Sequence, residues 1–153
     1  MIVYSMVVLM SACIFCQIVS GAIPAALVFK DRLTLAFLDH RPLFPGHCLL
    51  IPHQHVETLA EIAPPVLESV AANARLLALA LETALAAQGA FVAINNRVSQ
   101  SVPHLHVHVV PRTKGDGLKG FFWPRQKYRD PQHLEETRAS LAREMERMMT
   151  NRA

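Results

Sequence analysis

Residues His104-Leu105-His106-Val107-His108-Val109-Val110-Pro111 alternate imidazoles with apolar side chains at a period of two. That is the period of a half-buried β-strand. The reading points Leu105, Val107 and Val109 toward a core and gathers His104, His106 and His108 on the opposite face. Successive imidazoles are then rooted about 7 Å apart. Three rings that titrate near neutrality, fixed on one rigid element, add little to packing. They suit phosphoryl transfer or the holding of a metal.

The rest of the chain bounds what can be built around that strand. Its 153 residues suit one domain, and 52% hydrophobic content is enough for a core and argues against disorder. The net charge is +3. Basic residues cluster late, at Arg112, Lys114, Lys119, Arg125, Lys127 and Arg129, with Asp116 among them. Such a patch suits an anionic ligand and equally suits a solvated edge. No nucleic-acid-binding motif is present, so nucleic acid is not expected as a partner. Cys13, Cys16 and Cys48 are too few for a disulfide framework, and a reducing, cytoplasmic location is the simpler reading. Residues 1–12 read as an apolar N-terminal extension whose order the sequence leaves open. It is too short to span a bilayer and has no basic residue ahead of its apolar run, so membrane attachment is not expected.

Strands are expected over Ala25–Phe29 and Leu33–Leu38 around a Lys30-Asp31-Arg32 turn, over His47–Ile51, and over Phe91–Ile94. Pro64-Pro65 opens a long helix whose core stripe is Leu67, Val70, Ala74, Leu77, Leu81 and Leu85. Glu68, Arg75 and Glu82 mark its solvent side, and Gly89 is the expected C-terminal cap. Asp130-Pro131 starts a final helix with Leu134, Leu141, Met145 and Met148 on one face. Strands, helix, strands, helix with short connections make an α+β domain. The expected division is residues 1–12, a central domain over 13–125, and a C-terminal helical extension over 126–153.

The run from His104 to Val110 resembles the signature of the histidine triad (HIT) superfamily, Hint-like branch. Other segments match in order: Phe37-Leu38-Asp39 with Pro42, Gly46-His47 through Ile51-Pro52 to His55, and Gln100-Ser101 just before the triad. The resemblance implies a sheet of about five antiparallel strands, two main helices and a homodimer. It also implies a hydrolase or transferase acting on purine nucleoside monophosphate derivatives such as adenosine phosphoramidates. His106 would attack the α-phosphorus to form a nucleotidyl-histidine, and His108 would assist at the phosphate and leaving group. His47 would belong to the same catalytic network. Asp39 would bind the ribose hydroxyls, with Asn95, Gln100 and Ser101 on the phosphate side. Trp123 would help shape the site, although an apolar cluster at 120–124 suits a core or a dimer surface equally well.

Cys13-x-x-Cys16 brings two thiols close enough to share one metal. The resemblance adds His55 and His104, implying a structural Cys₂His₂ zinc site that leaves His106 and His108 for chemistry. Without a metal the same cysteines read as small buried residues, as Cys48 does. One departure stands out. The family pattern has glycine just before Gln-Ser, and this chain has Val98-Ser99 there. That keeps a non-catalytic nucleotide- or partner-binding module open as an alternative, beside a dinucleoside polyphosphate hydrolase and a catalytic zinc held by His106 and His108.

Overall fold

The computed structural model describes residues 13–118 and 127–150, with side chains as far as Arg143. The apolar extension, the Gly120–Pro124 cluster with Trp123, and the basic residues Lys119 and Arg125 lie outside these residues. The chain divides into two compact units at Asp116/Gly117.

In the first unit the elements are α1 (Ile14–Ser20), β1 (Leu27–Lys30), β2 (Thr34–Leu38), β3 (Cys48–Pro52), α2 (Pro64–Leu85), β4 (Gly89–Ile94) and β5 (Val107–Arg112). The strands form one sheet in the order β1-β2-β3-β5-β4, every pairing antiparallel. This is the expected five-stranded α+β arrangement. Among the described residues the two long helices are α2 and, in the second unit, α3 (Pro131–Thr150). Asp130 caps α3 by accepting the His133 N–H at 2.7 Å. Leu134 and Leu141 on α3 are exposed, and Met145 and Met148 lie beyond the described side chains. Among the described residues no helix is long and apolar enough to cross a membrane.

The period of two along each strand sorts the core into two layers. Ala36, Cys48, Leu50, Leu105, Val107 and Val109 pack beneath α2, against Val70, Ala74, Leu77 and Leu81. Leu35, Phe37, Leu49 and Ile51 face the other way and pack against Cys13, Phe15 and Cys16 at the start of α1. The histidines of the triad lie on this second side, so they are not a solvent face. His104 and His106 are buried.

Several local expectations change. The ladder of β5 starts at Val107 rather than His104, because the His104 and Leu105 amides bond to Val102 O and Val56 O instead. The alternation of side chains survives that detour. The helix α2 ends on Ala86 in the left-handed region (φ 54°), and Gly89 instead begins β4. Leu67 and Leu85, at the ends of the expected stripe, are exposed, while Asn73 is buried within it. Asn73 Nδ2 donates to Asp31 Oδ2 at 2.7 Å and Thr34 Oγ1 at 2.8 Å. Asp31 Oδ1 in turn accepts the Leu33 and Thr34 amides, so one buried amide bolts the β1–β2 turn to α2.

Candidate active site and candidate metal centre

Register brings the histidines together. β3 pairs with β5 so that Leu49 lies opposite His108, which makes His47 a diagonal neighbour of His108 on the same face. Gly46 delivers the chain into β3 with φ +99°, and a Cβ there would lie 2.3 Å from Leu85 Cδ1. The His106 and His108 rings meet edge to face with centroids 4.9 Å apart, and those of His47 and His108 are 5.2 Å apart.

Hydrogen bonds fix which nitrogen of each ring carries a proton. A carbonyl oxygen can only accept, so His106 Nδ1–H donates to His104 O at 2.7 Å. The lone pair of His106 is therefore on Nε2. The Leu43 N–H donates to His47 Nδ1 at 3.2 Å, which puts the proton of neutral His47 on Nε2. That proton is donated to His108 Nδ1 at 3.0 Å. Neutral His108 consequently carries its own proton on Nε2, as a donor.

Electrostatics keep this pair neutral. Burial lowers the His108 pKa to about 4, helped by His106 and His47 and opposed by Asp39. Burial also lowers that of His47, against the pull of Asp39, with His106 adding to the depression. Asp39 Oδ2 lies 3.6 Å from His47 Nδ1, too far for a hydrogen bond and close enough to act through space. Its Oδ1 accepts the Arg41 N–H at 2.8 Å.

The loop before the triad is braced by its own side chains. Gln100 Oε1 accepts the Arg97 N–H and Gln100 Nε2 donates to Glu57 O, both at 2.7 Å. Asn95 Nδ2 donates to Ser99 O at 3.2 Å. Ser99 sits at φ 59°, so this loop takes the left-handed turn without a glycine. Ser101 is exposed and lines a cavity of about 280 Å³ with Cys13, His55 and Glu57. Arg112 of the basic stretch is committed to Asp116 through two hydrogen bonds of 2.6 and 2.9 Å.

A second group converges on the same side of the sheet. One ligand atom each from Cys13, Cys16, His55 and His104 lie within 4.8 Å of one another. His104 Nδ1 is 3.5 Å from Cys13 Sγ and 3.6 Å from Cys16 Sγ, and His55 Nδ1 is 3.2 Å from Cys16 Sγ. Tetrahedral zinc with ordinary bond lengths sets S···N edges near 3.5 Å, so the spacing fits. The protonation also fits. His104 Nε2–H donates to Pro52 O at 2.9 Å, which leaves the Nδ1 lone pair aimed at the thiols. Burial lowers the His104 pKa to about 4, so the ring is neutral as a ligand must be. Burial and the Cys13 thiol push Cys16 up to about 11, so paired thiolates here call for a cation. Asp39, His47 and His108 form another close set, but the His47–His108 hydrogen bond already accounts for it, and neither set includes His106.

One participant escaped the sequence reading. Phe15 packs edge-on against His104, His106 and Phe37, with centroids 5.8, 5.3 and 5.5 Å away. Its only sequence signal is its position between the two cysteines.

Known proteins resemble this chain in sequence and fold. A family model described as the HIT domain matches residues 20–115. "Protein hit" of Bacillus subtilis (strain 168) is 33% identical over 136 residues, covering 87% of this chain and 94% of that protein. The crystal structure of a Zn-bound histidine triad family protein from Mycobacterium smegmatis is similar at a TM-score of 0.68 and 36% identity, covering 88% of this chain and 96% of that one. Adenylylsulfatase HINT3 of Arabidopsis thaliana is 33% identical over 112 residues, covering 72% of this chain and 57% of that protein.

Proposed function

The chain belongs to the HIT domain family, and from that premise we propose that it cleaves nucleoside monophosphate derivatives, adenosine phosphoramidates above all, through a nucleotidyl-histidine on His106. The observation that carries this is the pair of ring tautomers. His106 is held with a free lone pair on Nε2, next to a His108 whose Nε2 bears a proton. One ring is set up to attack and its neighbour to donate.

In the first step His106 Nε2 bonds to the α-phosphorus and the bond from phosphorus to the leaving nitrogen breaks. The departing nitrogen takes its proton from solvent as the bond breaks, and the His108 Nε2–H donates a hydrogen bond to it. In the second step water bonds to phosphorus, the bond from phosphorus to His106 breaks, and the proton of the water passes to solvent while the His108 Nε2–H donates to a phosphoryl oxygen. Asp39 accepts the ribose hydroxyls, Phe37 and Leu38 flank the base, and Ser101 donates to phosphate. Asn95 and Gln100 serve the nucleotide through the loop they brace. A relative named adenylylsulfatase supports chemistry of this class.

Zinc in the Cys13/Cys16/His55/His104 set would neutralise the thiolates and tie the start of α1 to the triad. Four protein ligands leave no open position for a reacting water. We also infer a homodimer through the β4 edge. A groove of about 290 Å³ between α2 and β4 is lined by Leu67, Val70, Ala74, Val92 and Ile94, and a second copy would bury it. Sedimentation should give twice the chain mass, reduced to the monomer in Val92→Arg.

The mechanism is tested by mass spectrometry of protein quenched during turnover on a phosphoramidate panel. A nucleotidyl adduct on His106 is expected, with no turnover in His106→Ala. Parental turnover by that variant would refute the mechanism.

A further inference from the structure

We propose that the Cys13/Cys16/His55/His104 metal centre positions the nucleophile, through the His104 carbonyl and with the Phe15 side chain required to hold the ring. The proposal rests on His106 being the reacting ring. It concerns what holds that ring in its reactive form.

Two physical links run from the centre to His106. The first passes through a single residue. His104 offers Nδ1 to the metal set and its Nε2–H to Pro52 O, so both ring nitrogens are committed. Its backbone carbonyl accepts the His106 Nδ1–H. Fixing the His104 ring therefore fixes the carbonyl that selects the His106 tautomer.

The second link passes through α1. This helix has seven residues, no side-chain N-cap and no acidic residue in its first turn. A helix so short is not stable by itself. Its first turn is held by Cys13 and Cys16 and by the packing of Phe15. Phe15 is 6% exposed and presses its ring on both His104 and His106. A cation that clamps the two cysteines thereby clamps the wall against the nucleophile. Without it the ring of His106 keeps its edge-to-face contact with His108 and a hydrogen bond to a less constrained carbonyl. Displacements of about 1 Å at a reacting group can cost about 100-fold in rate.

The test reads the ring directly. Long-range ¹H–¹⁵N spectra of ¹⁵N-labelled protein report which imidazole nitrogen is protonated, with His106 assigned from its loss in His106→Gln. Zn²⁺-loaded protein should show His106 in one form, protonated at Nδ1. Stripping the metal with a chelator should convert it to a mixture of tautomers, and one equivalent of Zn²⁺ should restore it. An unchanged His106 pattern in stripped, folded protein would overturn the proposal. Should stripping unfold the chain, Phe15→Leu in the Zn²⁺-loaded protein decides. That variant keeps every ligand, so its zinc content should match the parent. Its His106 tautomers should be mixed and its kcat about ten- to a hundredfold lower at near-constant KM. A parental His106 spectrum with parental kcat would again overturn the proposal. A missing covalent adduct on His106 would remove the nucleophile assignment alone, because the tautomer readout needs no turnover.

Discussion

His47 and His108 stand 61 positions apart in the chain, yet His47 Nε2 lies 3.0 Å from His108 Nδ1. The Leu43 amide fixes the direction of that hydrogen bond by occupying His47 Nδ1. His47 thus dictates which nitrogen of His108 presents a proton to the site. Replacing it with Phe should free His108 to flip tautomer and lower kcat about tenfold or more, with little change in KM. His47→Gln, whose amide can donate in the same place, should recover part of the loss. Steady-state kinetics on one phosphoramidate check both, and a fully active His47→Phe would refute the relay.

The same pair makes the fold acid-sensitive. His108 has an ordinary pKa of 6.5 when unfolded and about 4 when folded, as burial beside His106 and His47 outweighs the attraction of Asp39. Between those values the unfolded chain binds the extra proton. The contribution of His108 to stability is therefore complete above about 6.5 and is lost as pH falls toward 4. Denaturant unfolding at stepped pH should show this decline, with a shallower slope in His108→Gln. Equal slopes would contradict the assignment.

Elemental analysis should find about one zinc per chain, lost in Cys16→Ser. Removing the metal should lower Tm by about 10 °C, since it leaves two thiols and two imidazoles held together only by weak hydrogen bonds among themselves. A metal-free parent purified without chelator would end the zinc assignment.

Ser99 holds φ 59° in the braced loop. Glycine reaches that conformation without the Cβ clash, at some cost in unfolded-state entropy. Ser99→Gly should therefore raise stability by about 0.5 kcal/mol with turnover unchanged. A fall in the urea midpoint would show that the serine makes a contact worth more than its strain.

Asn73 is 7% exposed and its amide serves Asp31, Thr34 and, at 3.4 Å, Ser69. Asn73→Ala should cost about 1–3 kcal/mol, because it leaves the Asp31 carboxylate short of a donor. Equilibrium unfolding measures this, and a neutral result would mean that water replaces the amide.

The alternation at 104–110 already determined the sides of the sheet. A period of two cannot place Leu105, Val107 and Val109 under a helix without sending His104, His106 and His108 to the other face. The long α2 and the capped start of α3 were legible for similar local reasons, Pro64-Pro65 and Asp130 being short-range signals. The end of α2 was not, because Ala86 accepted a left-handed turn that a glycine three residues later had seemed to claim. Phe15 and Asn73 were illegible as well. An aromatic residue and an amide carry no mark of their partners until α1 and α2 are laid on opposite faces of the sheet. Local periodicity dictated which residue types share a face. Only the tertiary structure decided which ring nitrogens carry protons, because that choice is made by backbone groups from Leu43, Pro52 and His104 brought together by folding.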